Sequence, residues 1–488
     1  MSQRVYGRWE RPRTAGLFGL TWGVSLLGMG LVVAVMLGFM ITRSALVAGA
    51  LVLGGAVVFV PLAITRNGRT GWETLILKIQ FTLARHRGEH IYRAGRFSMI
   101  PGISRLPGLL ADSTMVEYET PGGRRFAMIH IRRTDHYTVV LRVQPRGKEL
   151  VDQDRIDAWV QGYGQFLATQ GREEVVAVTA VLEHVVETRL AQRGEVARLV
   201  RPQAPKFART VMAEAGASGG SGVRIEARIA LTYRPLGQAK TRRDRAEQAK
   251  EIGQRLQGVL AHLQNAGLPA VPMTAAEVLA MVRSRYDLAA QWDTELAGED
   301  ITSTQSWDAA GPISHLDRWD HYVHDGARSV TWEMDAAPRG TVLDSGLEEL
   351  LRPRPDVPRK RVTIIYRLHS AGDATRMVDS DYRDALAAEQ TERGIASAAA
   401  SIRVANTGAA RQEQARGAGL TRFGMLITVS DRLDADMPGI EASVQAMTAA
   451  SRLGIRRCYG YQAAAFAASL GIGLILPEHG SISRRMSA

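Results

Sequence analysis

Imidazoles and carboxylates are densest between His315 and Asp325, in the run HLDRWDHYVHD. Read as a helix, the run puts Asp317, Asp320, His321 and His324 on one side, and imidazole with carboxylate is a donor set for zinc or iron. It also holds Trp319 and Tyr322, and Asp325-Gly326 is a turn dipeptide leading into a strand, so a polar surface segment fits the pattern as well. The single cysteine, Cys458, stands among Arg456, Arg457 and Tyr459, a setting that can lower a thiol pKa. No base partner accompanies it, and a structural thiol is the plainer reading. One cysteine excludes an internal disulfide and any multi-cysteine metal or iron–sulfur centre. A phosphate-cradling loop needs glycines followed by Lys-Ser or Lys-Thr. Gly147-Lys148 is followed by Glu149, and the glycine-rich loop 216–222 contains no lysine. We assign no catalytic residue, cofactor site or metal ligand, and expect no enzyme.

The elements around these residues follow from composition and pattern. The chain has 488 residues, a net charge of +12, 45% apolar and 23% charged residues, which describes an ordinary folded protein. A mean hydropathy of −0.10 excludes a mostly membrane-embedded one. Only six of the 61 basic residues are lysine, a bias expected of a GC-rich genome rather than a binding mode.

The N-terminus departs from that average. Between Arg13 and Arg43 lie 29 uncharged residues, and between Arg43 and Arg66 another 22. About 20 helical residues cross a bilayer core, so both runs are long enough. Gly16, Gly19, Gly23, Gly28 and Gly30 in the first, and Gly49, Gly54 and Gly55 in the second, are small-residue positions that let two membrane helices approach. A buried soluble hairpin is the alternative. Arg4, Arg8, Arg11 and Arg13 precede the first run, Arg66, Arg69, Lys78, Arg85 and Arg87 follow the second, and the turn offers only Arg43. The positive-inside rule then places both termini in the cytoplasm of a multi-pass plasma (inner) membrane protein. Residues 1–13 carry +3 and residues 66–96 carry +5 (seven basic, two acidic). Topology and anionic lipid account for that charge, so no nucleic acid binding is expected. Trp72, Leu75, Ile76, Ile79 and Leu83 share one stripe of a helix over 70–90, suited either to the inner leaflet or to the cytosolic domain.

Beyond it strands and helices alternate, giving α+β. We expect a membrane anchor at 1–66, a basic amphipathic segment at 67–100, a first cytosolic lobe at 101–287, a linker at 288–320, and a second lobe at 321–488. Strands are expected at Arg125–Arg133, Tyr137–Val143, Val175–Leu182, around Ile225–Leu231, Arg328–Met334, Val362–Leu368 and Phe423–Val429. Helices are expected after Asp152, near 185–199, up to Gly267, over 379–415 as an Ala/Arg/Gln-rich insert, and from Met437 to Gly454. The proline-interrupted RPRPDVPRKR at 352–361 reads as a stiff connector. The order strand, helix, strand, helix recurs on each side of the linker.

The run Tyr322–Leu351, then RVTIIYRLHS, a helical insert, RFGMLITVS after Gly419, and FAASLGIGLILPEHG at 466–480, follow one another in an order that resembles the non-catalytic N-terminal region of type IV secretion traffic ATPases, the TraC and TrbE kind. The two spans resemble the small two-helix inner-membrane protein fused to that ATPase in some conjugation systems. That family's nucleotide-binding motifs lie in a motor domain outside the resemblance, so no catalytic residue carries over. The resemblance implies an actinobacterial, catalytically inert membrane platform, a structural component whose partners are a separate motor ATPase, channel proteins, lipid and further copies of itself. A membrane subunit of type VII secretion of the EccE kind, and a membrane-tethered metal enzyme built on His321 and His324, are the alternatives.

Overall fold

The computed structural model describes residues 6–7, 22–66, 69–98, 105–147, 150–171, 174–186, 199–201, 203–217, 222–235, 245–291, 306–338, 341–342, 345–369, 371–391, 398–415, 419 and 421–479. The chain is mixed α and β, built on one large antiparallel sheet.

Three helices come first: α1 (Trp22–Thr42), α2 (Ala45–Ala63) and α3 (Gly71–His86). The α1–α2 turn bends at Arg43, whose φ of 48° is left-handed. The two helices touch where glycine leaves room: a Cβ on Gly55 would lie 2.1 Å from Leu31 Cδ1, and one on Gly38 2.5 Å from Leu51 Cδ1. Gly28 is tight against Phe59 in the same way, whereas Gly30, Gly49 and Gly54 face open space. Ala45–Leu62 is long and apolar enough to cross a membrane and none of it is buried; Leu26–Thr42 is a shorter apolar stretch.

The sheet strands are β1 (Ile91–Arg93), β2 (Ser113–Glu119), β3 (Arg125–Ile131), β4 (His136–Val143), β5 (Val175–Val186), β6 (Val223–Tyr233), β7 (Ala270–Pro272), β8 (Ser314–Asp317), β9 (Tyr322–His324), β10 (Ala327–Ala336), β11 (Lys360–Leu368), β12 (Thr421–Arg432) and β13 (Gly454–Arg457). Their order is β1-β8-β9-β10-β12-β11-β5-β6-β4-β3-β2, with β7 also on β4 and β13 also on β10. The remaining α-helices are α4 (Gln153–Gln170), α5 (Lys206–Ala217), α6 (Arg245–Asn265), α7 (Ala275–Tyr286), α8 (Glu348–Leu351), α9 (Ala371–Thr391), α10 (Ala398–Ala415), α11 (Met437–Ala450), α12 (Gln462–Ser469) and the single turn α13 (Leu476–His479).

The order reads the same from either end. β4-α4-β5-α5-β6-α6-β7-α7 is matched by β10-α8-β11-α9/α10-β12-α11-β13-α12, and each half pairs its strands alike. A buried threonine pair marks the same place in both: Thr138 on β4 with Thr232 on β6 at 3.1 Å, and Thr331 on β10 with Thr428 on β12 at 3.0 Å. The halves meet where β5 pairs with β11, Ile364 opposite Ala180. The lobes expected at 101–287 and 321–488 thus share one sheet.

Alternation along the strands sorts side chains onto two faces. Phe126, Val139, Leu141 and Leu231 meet Ile252, Leu256, Val259 and Leu263 of α6 on one face of the first half. Met425, Ile427 and Val429 meet Ile440, Val444 and Met447 of α11 on that face of the second. The opposite face packs α7 and α12 around Ile129, Ala230, Tyr322 and Leu426. The segment after α12 crosses the first half so closely that a Cβ on Gly473 (φ 93°) would sit 2.0 Å from Thr138 Oγ1. Only glycine fits there.

Three expectations need correction. The linker at 288–320 is part of the fold from 306 onward: Trp307 is buried, its Nε1–H donating to Ser113 Oγ at 2.9 Å, and Ser314–Asp317 is a strand between β1 and β9. The charged helix near 185–199 begins inside β5, which runs on to Val186, and 187–198 lie outside the described residues. The insert at 379–415 is a helical hairpin starting earlier, at Ala371, held by Arg411–Asp379 at 2.9 Å.

Candidate functional site

The run at 315–325 is a β-hairpin rather than a helix: His315 pairs with His324, and Asp317 with Tyr322. This corrects the shared-face reading, because period 2 separates what period 3.6 would collect. His321 lies at the turn with its Nδ1 2.8 Å from Asp320 Oδ1. His324 is wholly buried, its ring bonded to the Tyr286 carbonyl at 2.5 Å and to Ser329 Oγ at 2.7 Å. Ser329 Oγ continues to Ser430 Oγ at 2.6 Å, and the Tyr322 hydroxyl meets His315 Nδ1 at 2.8 Å. Burial pushes His324 down to about 4 and His315, which also faces His324, down to about 3, so both are neutral at pH 7. Asp317 accepts from the Ala463 N–H of α12 at 3.2 Å; burial nevertheless raises it to about 7. Asp325 Oδ2 and Oδ1 accept from the N–H groups of Ile313 and Ser314 at 2.9 Å each. These side chains fasten the hairpin. Among the described residues no group of three or more His, Cys, Asp or Glu is arranged to hold a metal ion.

Cys458 is fully buried, and burial raises its thiol above the ordinary value although Arg69 and Arg456 act to lower it, which agrees with the reading of a structural thiol. Lys148 and Glu149, and 218–221 of the glycine-rich loop, lie outside the described residues.

A charge cluster that sequence patterns missed sits where the halves join. Glu183 on β5 is enclosed by three guanidinium groups. Its Oε1 accepts from Arg361 Nε at 2.8 Å and lies 2.9 Å from Arg285 Nε; its Oε2 accepts from Arg228 Nη1 at 2.7 Å. Arg285 reaches on to Glu226 Oε2 at 2.5 Å, Arg361 to Ser469 Oγ at 2.9 Å, and Arg228 to the Leu470 carbonyl at 3.1 Å. Burial works to raise the Glu183 carboxyl, but Arg285, Arg361 and Arg228 together outweigh it and hold it well below the usual carboxylate range. A carboxylate so occupied is neither base nor nucleophile. The adjacent cleft, lined by His184, Ser284, Arg359 and Lys360, has room for about one water (≈ 20 Å³). Burial and Arg354 push the Lys360 ammonium down to about 8, and its Nζ donates to the Arg352 carbonyl at 3.0 Å.

A second junction ties the helical hairpin to the sheet. Arg69 donates to Glu333 Oε1 at 2.8 Å and to the Tyr461 hydroxyl, with its guanidinium 5.0 Å above that ring. Glu333 also accepts from Arg456 Nε at 2.5 Å, and Arg456 faces Asp335. At the start of α3, Thr70 and Glu73 form a reciprocal capping box, and Trp72 Nε1–H donates to the Val58 carbonyl of α2 at 2.8 Å. These contacts link the segment between α2 and α3 to β10 and to the residue that precedes α12.

The hairpin and its exit into α3 coincide with a match to a family model. Residues 13–73 match a domain of unknown function, DUF8461. No curated protein matches the chain. The match spans α1, α2 and the first turn of α3, so the sheet lies outside it.

Proposed function

We propose that this protein is a membrane-anchored structural platform of a type IV-like secretion or conjugation system, crossing the inner membrane twice with both termini cytoplasmic and docking a separate motor ATPase. The observation that carries the anchor is the uncovered hairpin: Ile41, Leu46 and Leu53 are 80, 86 and 71% exposed, and the helices touch mainly each other. Apolar surface of that extent is stable only when something apolar covers it. The scaffold part of the reading is supported by the buried ion-pair seam where the two halves join, and by the Arg69–Glu333 junction, which would carry force between membrane and body.

The α9–α10 hairpin is the proposed motor dock. Leu368 and Thr421 are directly paired, so the chain leaves and re-enters the sheet at one point and the insert can be exchanged for a short turn. The platform with 370–420 replaced by Asn-Gly should insert and fold as wild type yet lose copurification with the cognate ATPase. Wild-type pull-down by the exchanged variant would show that the dock lies elsewhere. Association of wild type with a type VII membrane complex and no motor of the type IV kind would overturn the assignment. Alkaline phosphatase activity from a fusion after residue 66 would reverse the topology.

A further inference from the structure

Helix α3 has two apolar rows on opposite sides. Thr74, Leu77, Phe81 and Ala84 are the half-buried row, and Phe81 meets Trp319 edge-on at 5.4 Å between ring centroids. Trp319 in turn stacks on Tyr459. This row faces the sheet domain. The opposite row is Leu75, Ile76, Ile79 and Leu83, which are 42, 39, 51 and 50% exposed. One helix face packed on the body satisfies the amphipathic rule; a second, uncovered apolar face needs its own partner.

Its position names that partner. Gly71 lies against Pro61 of α2, and Trp72 is bonded to Val58, so the outer row starts where the apolar hairpin ends. Lys78 and Arg85 border the row, both exposed and without an acidic partner among the described residues. Their stems can run along the row while the charges reach outward. Apolar residues in the acyl boundary, with basic residues at phosphate level, is how a helix lies in a membrane interface.

We infer that α3 lies in the plane of the inner leaflet, with Leu75, Ile76, Ile79 and Leu83 immersed and Lys78 and Arg85 at anionic headgroups. This rests on the membrane reading of α1 and α2 and extends it. Because Phe81 fixes the other face of α3 to Trp319, the lipid surface then sets the tilt of the whole sheet domain. The helix is a gauge between bilayer and body rather than a flexible tether.

The test uses the full chain carrying Cys458→Ala, with single cysteines for an environment-sensitive fluorophore at Ile79→Cys, Leu83→Cys, Gln80→Cys and Leu46→Cys. The protein is reconstituted in phosphatidylcholine vesicles with and without phosphatidylglycerol. Spin-labelled lipid should quench the labels at 79 and 83 at least about twofold more than the label at 80, with the difference larger when phosphatidylglycerol is present. Quenching at 46 with water-accessible labels at 79 and 83 would overturn the inference while leaving the membrane reading intact. Aqueous accessibility at all four positions would overturn both. Labels at 79 and 83 shielded from both lipid and aqueous quenchers would assign the face to protein instead. Equal quenching with and without phosphatidylglycerol would remove the headgroup contact.

Discussion

Glu183→Gln probes the seam with a change of one charge and almost no volume. In the wild type the two carboxylate oxygens answer three buried guanidinium groups at 2.7, 2.8 and 2.9 Å. Glutamine keeps one acceptor and turns the other into an NH₂ that faces arginine donors. Of the three arginines only Arg285 retains a carboxylate, Glu226; Arg228 and Arg361 keep neutral partners, a carbonyl and a serine hydroxyl. Removing one partner of such a buried network costs about 3–5 kcal/mol. At about 2 °C per kcal/mol, the low end because unfolding entropy grows with size, melting should fall by roughly 6–10 °C. Fluorescence reports it from both halves, since Trp307 belongs to the α7–α12 core and Trp332 to the α11 core. The pH dependence carries a second signature. Glu183 titrates below its unfolded value of about 4.3, so its stabilisation is complete above that pH and fades as the pH falls through the folded value. The gap between wild type and variant should therefore be constant from pH 5 upward and close in acid. Glu226→Gln, which touches a more exposed carboxylate at 31% side-chain exposure, should cost about 1 kcal/mol. A Glu183→Gln loss under about 1 kcal/mol, or a gap that widens in acid, would refute the seam as the join between halves.

Three other outcomes are expected. His324→Ala leaves the Tyr286 carbonyl without its imidazole partner and Ser329 Oγ with Ser430 alone, and should cost about 2–4 kcal/mol, whereas His321→Ala at the turn should stay within about 0.5 kcal/mol; elemental analysis should give the same metal content for both and for wild type. His136, His184 and His324 are held down to about 4 and His315 to about 3 by burial, while Asp317 is raised to about 7, so near pH 5 unfolding takes up four histidine protons and releases one from Asp317. Stability should then drop as pH falls from about 6.5 toward 4, with a slope of roughly three protons, and a flat profile by chemical denaturation would contradict the buried neutral imidazoles. Purified protein should not hydrolyse ATP; hydrolysis that persists after copurifying motors are removed would reveal a nucleotide site.

What the sequence disclosed and what it hid follow from one physical difference. Segments with a single partner were legible. The α6 stripe of Ala249, Ile252, Leu256, Val259 and Leu263 is buried as its period demands, and β10, β11 and β12 lie within a few residues of their expected places. Residues serving two faces at once were not. Arg228 alternates with Ile229 and Leu231, which reads as a solvent face, yet α7 and α12 cover that face and Arg228 is 4% exposed. Arg361 reads as the end of a proline-rich connector, and Glu183 as lying just past the end of a strand at Leu182; each is a central strand residue because the two halves meet edge to edge at β5 and β11. A charge in a strand is ordinarily a sign of water, and only the partner strand from the other half turns it into a sign of burial. The same logic hid the role of 315–325: polar residues collected by a helical reading are distributed by a strand, some into the core and some into the turn. The recurring order of elements was the one clue to the seam available beforehand. A repeat whose edge strands are both apolar and punctuated by opposite charges, Glu183 in one and Arg361 in the other, is a repeat built to pair with itself.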